Sequence, residues 1–427
     1  MAAREIRRRV ARHIGPTCCT RRPILPGMEI DLECRESVDD PAGYFARARE
    51  AGGGVQWSER HRAWLLLSHE QVEAGFKDWE RLSSDKMDSF ERVARRRSEA
   101  FNKVVELLSG WMNFRDPPVH DRLREPVRRA FTPRALESLE QDVEEIVAAT
   151  LDAFPEDGAD LMGDYARIVP ALVIAAMLGV EPGERYRFQR WSDDLAHLVF
   201  SMNPADETDE QPILWSTGEF TEFFSERIEQ ERRHPTGSLL TTIVEQSGNE
   251  LSPLELVGAC TLLLFGGHET TTILMSNAFA ILLEQPDLQA WLREHPEADR
   301  SAVEEFARVG GPARALPRKV TVDHERAGQQ LRKGQNAYLC VAAANHDPAL
   351  FREPGAIDLE RDPNPHLGFG WGLHYCLGGT LARIETRIAI RRLLERYGTI
   401  EPAIPVPRVR ASSMGFGRRP LAARLSR

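Results

Sequence analysis

The sequence predicts one mainly α-helical α+β domain in which small β-sheets flank a helix-rich centre. Apolar residues follow helical spacing almost continuously from about residue 71 to residue 305, with breaks at clusters of proline and glycine. Short strand-like runs occur only before and after this region. A long irregular stretch from Asn345 to Gly372 leads into a last helix, predicted from about Leu377 to Tyr397. This order of elements fits a single α-rich domain.

Composition and length narrow the class of protein. The 427 residues are 42% hydrophobic and 28% charged, with a formal net charge of -10, which is typical of a soluble globular protein without a nucleic-acid partner. No apolar run reaches the roughly 18 residues of a membrane span, and no signal-peptide core is visible, so we expect a cytoplasmic protein. The chain exceeds the roughly 250–300 residues at which single cores stop growing, and a large buried cofactor is one way to organise it.

The N-terminal residues 1–26 are rich in arginine and nearly free of acidic residues. We expect a basic, disordered tail there, with a transit-like segment or a functional basic arm as the alternatives. The folded domain is then predicted to span residues 27–427. It begins with a helix at Tyr44–Ala51 and a hairpin made of Val55–Trp57 and Ala63–Leu67.

A long central helix is predicted from its own start and stop signals. The residues Ser252–Glu255 form a capping box with proline at the first helical position, and the pattern continues to about Glu284. Such a helix is about 48 Å long. Halfway along it lie Gly266 and Gly267, each of which costs about 1 kcal/mol relative to alanine, so they indicate a close approach or a local kink.

The segment Phe369–Gly378 contains the most informative cysteine of the six in the chain, which form no C-x-x-C pair. Gly370 and Gly372 permit tight or left-handed backbone conformations. Cys376 is predicted at the start of a helix, where amide N–H groups and the positive helix end favour the thiolate that a metal ligand must be. Gly378 leaves room for a flat cofactor.

This segment resembles the haem-binding loop of the cytochrome P-450 family, F-x-x-G-x-H-x-C-x-G, at every fixed position. The resemblance extends from about Asp39 to the C-terminus and implies a haem b cofactor held between the central helix and the cysteine-loop helix. It implies that Cys376 is the axial iron ligand, that His374 holds a propionate and that Phe369 packs by the sulfur. The alternative is a structural cysteine buried in a glycine turn.

The glycine pair of the central helix belongs to Gly266–Thr271, which resembles the family's oxygen-binding motif [A/G]-G-x-[D/E]-T. The resemblance implies that Gly267 contacts the cofactor and that Glu269 and Thr270 bring protons to dioxygen. Gly266 stands where alanine is commoner in the family. The alternative is a polar kink in a buried helix. A zinc-protease H-E-x-x-H motif is excluded because position 272 is threonine.

Three further matches concern structural and propionate-binding residues. Glu305 and Arg308 form E-x-x-R on one helix face, which resembles a buried structural pair of the family but reads alone as a surface ion pair. His120 and Arg124, four residues apart on a helix, and Arg318 on a later strand would bind the propionates. For each of these three cations the alternative is an ordinary solvated side chain.

The resemblance implies a monooxygenase that activates dioxygen with two externally supplied electrons and oxidises a small, natural-product-like molecule. Ferredoxin and ferredoxin reductase are the expected donors. Three arginines form a candidate docking patch or an ordinary solvated face, namely Arg122, Arg128 and Arg129. The alternatives are oxidative coupling or ring formation on the same fold, and a non-catalytic haem-binding recruitment module.

Substrate contacts are expected from residues 83–110 and 198–213, from residues 263–267 including Leu263, and from residues 314–316 on the strand after Pro312. If that strand is regular, Arg314, Leu316 and Arg318 share one face. We therefore hypothesise that Arg314 lies at the pocket wall and binds an anionic group of the substrate. A propionate or an internal protein partner for Arg314 is the alternative.

Overall fold

The computed structural model describes residues 28–131, 133–156, 158–180, 182–200, 210–417 and 419–427. The basic segment at residues 1–26 lies outside these ranges, as does part of the predicted specificity segment 198–213. In the described residues the chain forms a helix-rich domain with small sheets, as the sequence predicts. None of the described helices is both long and apolar enough to cross a lipid bilayer.

The first half of the chain alternates helices with four short strands. Its helices are α1 (Arg35–Asp39), α2 (Pro41–Gly52), α3 (His69–Lys77), α4 (Met87–Ala94), α5 (Asn102–Ser109), α6 (Val119–Ala130), α7 (Pro133–Asp152), α8 (Ile168–Met177) and α9 (Arg185–Phe200). A π-helix at Leu161–Ala166 precedes α8. The strands are β1 (Val55–Ser58), β2 (Ala63–Leu66), β3 (Leu82–Ser83) and, before the π-helix, β4 (Ala159–Asp160).

The second half carries the central helix and the cysteine loop. Its helices are α10 (Gln211–Arg233), α11 (Leu239–Ser247), α12 (Pro253–Glu284), α13 (Pro286–Glu294), α14 (Asp299–Gly310), α15 (Val341–Ala344) and α16 (Gly379–Arg396). Its strands are β5 (Leu316–Val320), β6 (His324–Arg326), β7 (Gln329–Leu331), β8 (Asn336–Leu339), β9 (Thr399–Pro402) and β10 (Ala422–Ser426).

Within the described residues, the largest sheet has the strand order β1-β2-β8-β5-β3. The predicted hairpin forms its first two strands, with Val55 opposite Leu66. Strand β8 lies parallel to β2 and antiparallel to β5. This pairing joins the first hundred residues to the segment before the cysteine loop, so the sheet brings distant parts of the chain to one edge of the domain.

The central helix α12 begins and ends where the sequence predicts. The Ser252 hydroxyl accepts a hydrogen bond from the Glu255 N–H at 3.3 Å, and the Glu255 carboxylate accepts one from the Ser252 N–H at 2.9 Å, which completes the capping box. Most of its residues are buried in the main hydrophobic core. The cysteine-loop helix α16 packs against α12, α14 and α7, and starts at Gly379, two residues later than predicted.

The strand after Pro312 differs from the prediction in its start. We expected it to include Arg314, whereas β5 runs over Leu316–Val320. Arg314 therefore precedes the strand, and the alternation that placed it on one face with Leu316 and Arg318 does not extend to it. Instead, the Arg314 N–H donates to the Met414 carbonyl at 2.7 Å, which ties this segment to the C-terminal loop.

Candidate active site

The cysteine loop turns sharply through two glycines in left-handed conformations. Gly370 has a φ of 72° and Gly372 a φ of 65°, which favours glycine at both positions. A Cβ atom added to Gly372 would lie 3.2 Å from the Phe76 carbonyl oxygen, so helix α3 leaves little room for a side chain. The Cys376 N–H donates to the Phe369 carbonyl at 2.9 Å and closes the loop.

The thiol of Cys376 faces an internal space. Protein surrounds the group, and this burial raises its pKa against the opposing effects of the Gly378 N–H and the charges of Arg383 and Arg124. The residue nevertheless keeps accessible surface. A side chain that is enclosed by protein and yet accessible lines a cavity. A Cβ atom at Gly378 would meet nothing within 4 Å, so the backbone beside the thiol is open as well.

A charged pair that the sequence analysis missed supports the aromatic residue of the loop. The Arg383 guanidinium lies 3.9 Å from the ring centroid of Phe369. Its Nε donates to Glu304 Oε1 at 2.5 Å and its Nη2 to Oε2 at 2.9 Å. Because Glu304 and Arg383 belong to different helices, only the packing of α14 against α16 shows that they meet.

Two imidazoles meet beside the loop. The rings of His120 and His374 stand edge to face with their centroids 4.5 Å apart. The Nε2 atom of each ring is buried without a hydrogen-bond partner. Burial, followed by the positive charges of Arg318, His120 and Arg124, lowers the pKa of His374 to about 2. The site therefore concentrates positive potential around nitrogens that have unused hydrogen-bonding capacity.

Arg318 belongs to the same cluster and is buried with it. It is 8% exposed, and burial lowers its pKa to about 10 in spite of the nearby charge of Asp116. Its guanidinium donates to the Pro317 carbonyl at 3.0 Å. Within the ranges that the structure describes, no carboxylate lies at ion-pair distance from Arg318. Arg124 completes the set and donates to the Tyr375 carbonyl at 2.6 Å.

These four basic residues fit the anionic side chains of a haem. Buried cations without partners are unfavourable, and carboxylates that accept from them would satisfy both charge and hydrogen bonding. His120 Nδ1 already contacts Asp121 Oδ1 at 2.8 Å, so an anion at Nε2 would favour the doubly protonated ring, in which both nitrogens donate. Together, the cluster and the enclosed thiol match a carboxylate-bearing iron cofactor.

The central helix presents one accessible face along an otherwise buried segment. Leu263, Gly266 and Thr270 are partly accessible and lie three or four residues apart. The Thr270 hydroxyl donates to the Gly266 carbonyl at 2.5 Å, whereas Glu269 is 8% exposed. This face is the part of α12 that can border a cavity.

The two adjacent glycines at the middle of this helix, Gly266 and Gly267, differ in their surroundings. A Cβ atom on Gly266 would meet nothing within 4 Å, while one on Gly267 would lie 3.1 Å from Ile174 Cδ1. We expected Gly267 to contact the cofactor. A side chain at Gly267 would point at α8, whereas Gly266 borders open space, and the cofactor contact of Gly267 stays a prediction.

The guanidinium of Arg314 is bound by protein acceptors. Its guanidinium donates to the carbonyl of Ser412 at 3.2 Å, to the carbonyl and hydroxyl of Ser37 at 2.9 and 3.1 Å, and to the carbonyl of Leu32. The hypothesis that it binds a substrate anion is therefore wrong, and the alternative of an internal protein partner holds. Leu316, the first residue of β5, is partly accessible and packs on the apolar cluster of the large sheet.

The E-x-x-R residues are fully buried and hold the irregular stretch before the cysteine loop. Arg308 Nη2 lies 2.7 Å from Glu305 Oε1, and Nε lies 2.8 Å from Oε2. Arg308 also donates to three carbonyls of this stretch, at Asn345, Pro354 and Ala356. Burial acts to raise the pKa of Glu305, but its hydrogen bonds, led by those from Arg308, lower it on balance.

The candidate docking patch is largely neutralised. Arg122 pairs with Glu255 at 2.6 Å, and both Arg128 and Arg129 pair with Glu125, at 2.7 and 3.0 Å. Two acidic side chains thus offset two of the three positive charges. The patch presents a weaker positive potential than the arginine count suggests.

A helix-rich domain with an enclosed cysteine thiol, an open glycine face and a cluster of anion-binding donors defines a haem-thiolate protein. The family model described as cytochrome P-450 matches residues 216–426. Cytochrome P-450 CYP107DY1 of Priestia megaterium is 33% identical over 88% of this chain and 93% of its own. The mycinamicin IV hydroxylase/epoxidase of Micromonospora griseorubida is 34% identical over 84% of this chain and 88% of its own.

The fold comparison agrees with the sequence comparison. The solved structure of the bacillaene polyketide synthase cytochrome P-450 PksS of Bacillus subtilis superposes with a TM-score of 0.81 at 29% identity, over 93% of this chain and all of the other. The chain therefore belongs to the cytochrome P-450 family, whose members are haem-thiolate oxidoreductases of the monooxygenase type.

Proposed function

We propose that the protein is a haem b monooxygenase that oxidises a small natural-product-like molecule with electrons from a ferredoxin and a ferredoxin reductase. The observation that carries this proposal is the pair of unpartnered buried imidazoles, His120 and His374, beside an enclosed thiol. Buried donors without partners are unfavourable in a folded protein unless a ligand satisfies them. A haem bound through its propionates and through sulfur satisfies all of them together.

In this proposal each residue of the site has one task. Cys376 holds the iron as a thiolate, stabilised by the Gly378 N–H and by the charges of Arg383 and Arg124. The propionates are bound by the basic cluster, which comprises His120, Arg124, Arg318 and His374. Phe369, which Arg383 holds in place, shields the sulfur from water. When bound, the haem supplies the oxidising chemistry by activating dioxygen.

We propose that the accessible face of α12 delivers protons and contacts the substrate. The Thr270 Oγ1 proton, which the Gly266 carbonyl accepts in this structure, is held where dioxygen would enter. Glu269 is the adjacent acid that would replace a proton once Thr270 has given it up. Gly266 leaves space at this turn, and Leu263 and Leu316 would contact the apolar part of the substrate.

Surface charge bears on the electron donor, and the relatives bear on the class of substrate. A ferredoxin is acidic, and Arg128 with Arg129 leave one net positive charge after pairing with Glu125, so the docking attraction would be modest. The relatives named above act in mycinamicin and bacillaene polyketide metabolism. A natural-product substrate is the corresponding proposal for this chain.

The test combines a spectrum with turnover. The purified holoprotein, reduced and exposed to carbon monoxide, should show the absorbance band of a thiolate-ligated haem. With a surrogate ferredoxin, ferredoxin reductase and NADPH, it should oxidise members of a polyketide and terpenoid panel, and product masses distinguish oxygen insertion from coupling.

Cys376→Ser should abolish the thiolate band, while Cys260→Ala should keep it because burial raises the pKa of Cys260 to about 12 and leaves it a neutral core thiol. Persistence of the band in Cys376→Ser would refute the ligand assignment. A normal band without any oxidised product would instead refute the proposed activity.

A further inference from the structure

The turn of the central helix that borders the cavity contains the residues that stiffen a helix least. Gly266 and Gly267 are adjacent, and glycine restricts the backbone less than any other residue. The Thr270 hydroxyl donates to the Gly266 carbonyl at 2.5 Å. Hydrogen bonds of this kind slightly destabilise helices and often bend them. The direction of the Thr270 hydroxyl therefore depends on how this turn is held by the rest of the protein.

His268 holds the turn from the opposite side of the helix. It is two residues from both Gly266 and Thr270, which places it about 200° around the helix axis from each, since one residue turns an α-helix by about 100°. The ring is fully buried, and its Nε2 atom lies 3.2 Å from the Arg167 carbonyl oxygen. Because a carbonyl only accepts, the imidazole donates from Nε2. This bond joins the middle of α12 to the segment before α8.

The acceptor of this bond belongs to a well-anchored part of the chain. Arg167 lies between the π-helix Leu161–Ala166 and α8, and its N–H donates to the Met162 carbonyl at 3.0 Å. Its side chain pairs with Asp193 of α9 at 2.5 Å. Both the backbone and the side chain of Arg167 are therefore held, so its carbonyl is a fixed point for the imidazole.

A close packing contact acts on the same turn as the hydrogen bond. A Cβ atom at Gly267 would lie 3.1 Å from Ile174 Cδ1, so α8 approaches α12 closely here. This contact limits how near the two helices come, and the hydrogen bond from His268 keeps them from separating. Together they fix the turn whose far side carries Gly266 and Thr270.

We propose that His268 is a positioning residue for proton delivery, which holds the glycine turn so that the Thr270 hydroxyl borders the cavity. This inference rests on the proposed function, since it concerns the proton path of that same site. His268 lies on the buried side of α12 and acts through Thr270. Its loss should therefore change the fate of the electrons, and leave the affinity for substrate and the ligation of the haem unchanged.

The experiment compares two amide substitutions that differ in reach. The amide nitrogen of His268→Gln falls near the former Nε2 position and can still donate to the Arg167 carbonyl, whereas the shorter side chain of His268→Asn cannot reach it. Peroxide and product per NADPH are measured with surrogate redox partners and a compound of the polyketide and terpenoid panel that the parent oxidises.

His268→Asn should raise the ratio of peroxide to product about 3–10-fold, as expected for the loss of one neutral hydrogen bond. His268→Gln should restore a ratio close to that of the parent. Both variants should keep the thiolate band of the reduced carbon monoxide complex and the dissociation constant of the substrate, because neither change touches the cavity.

Asn277→Ala is the matched control. The Asn277 amide also ties α12 to a backbone carbonyl, that of Gly310 at 2.9 Å, but it does so about three turns beyond the glycines. Its loss should lower the free energy of unfolding without changing the ratio of peroxide to product. An equal rise of the ratio in Asn277→Ala and His268→Asn would show that any loosening of the helix diverts electrons, and would overturn the proposal.

The proposal also fails if His268→Asn couples electrons to product as the parent does, or if the Gln and Asn variants divert electrons equally. Loss of the thiolate band from His268→Asn would assign His268 to the maintenance of the fold and likewise overturn it. Failure of the proposed function is seen separately, as a parent protein without the thiolate band or without oxidised products.

Discussion

The imidazoles of His120 and His374 touch edge to face at 4.5 Å, and each has a buried Nε2 atom without a hydrogen-bond partner. One ring belongs to α6 and the other to the cysteine loop, so the contact joins two distant segments of the chain. Neither ring stabilises the other through a hydrogen bond. The arrangement is explained by a ligand that accepts from both nitrogens.

His374→Phe should weaken haem binding while leaving the fold intact, because the substitution keeps a planar aromatic ring and removes one buried donor. Hydrogen bonds to charged groups contribute about 1.5–3 kcal/mol, so the haem affinity should fall about 10–100-fold. The rate of haem transfer to apomyoglobin measures this. His295→Phe, at an exposed imidazole just after α13, is the control. Equal transfer rates for His374→Phe and the parent would contradict the propionate role.

Thr270→Ala should divert electrons to hydrogen peroxide without weakening substrate binding. The hydroxyl is proposed to supply a proton to dioxygen, so its loss changes the fate of the electrons and not the fit of the substrate. Peroxide and product formed per NADPH consumed measure the effect, and Thr270→Ser should restore most of the coupling. If Thr270→Ala couples electrons to product as the parent does, the residue has no part in proton delivery.

Arg308→Leu should destabilise the protein by about 3–5 kcal/mol, since it leaves the Glu305 carboxylate buried without its main partner. The two side chains of the pair are fully buried. The matched control is Arg35→Leu, which breaks the exposed pair of Arg35 with Asp39 at 3.0 Å and should cost about 0–1 kcal/mol. Urea unfolding of both variants gives the comparison, and similar losses would show that burial does not govern the pair.

His346 should make the protein sensitive to acid. Burial, followed by the charge of Arg308, lowers its pKa from 6.5 to about 4, so the folded state binds the proton less readily than the unfolded state. The free energy of unfolding should therefore be fully retained above pH 6.5 and fall by up to about 1.4 kcal/mol per pH unit on acidification toward pH 4.

His346→Gln should remove this contribution. At pH 7 the variant should already be less stable, because the ring nitrogen of His346 lies 2.8 Å from the Ala342 carbonyl, but its loss of stability between pH 6.5 and 4 should be smaller than that of the parent. Denaturant unfolding at a series of pH values measures both slopes. Identical slopes would show that His346 does not bury its neutral form.

The sequence by itself determined the elements whose requirements are local. The capping box and proline at Ser252–Glu255 located the start of the central helix, because they satisfy backbone groups within one turn. The glycines around Cys376 marked the cysteine loop, because few other residues adopt its left-handed turns. The same locality explains why the hairpin at β1 and β2 was predicted correctly and why only its end residues shifted.

Only the tertiary structure decided which partner each buried charge takes and which side chains face the cavity. The Arg314 guanidinium does not contact the cofactor site, because it donates to the carbonyls of Ser37 and Ser412, which are distant from it in the chain. Desolvation and charge pairing depend on every segment packed around a group, so the neighbours in the chain do not specify them.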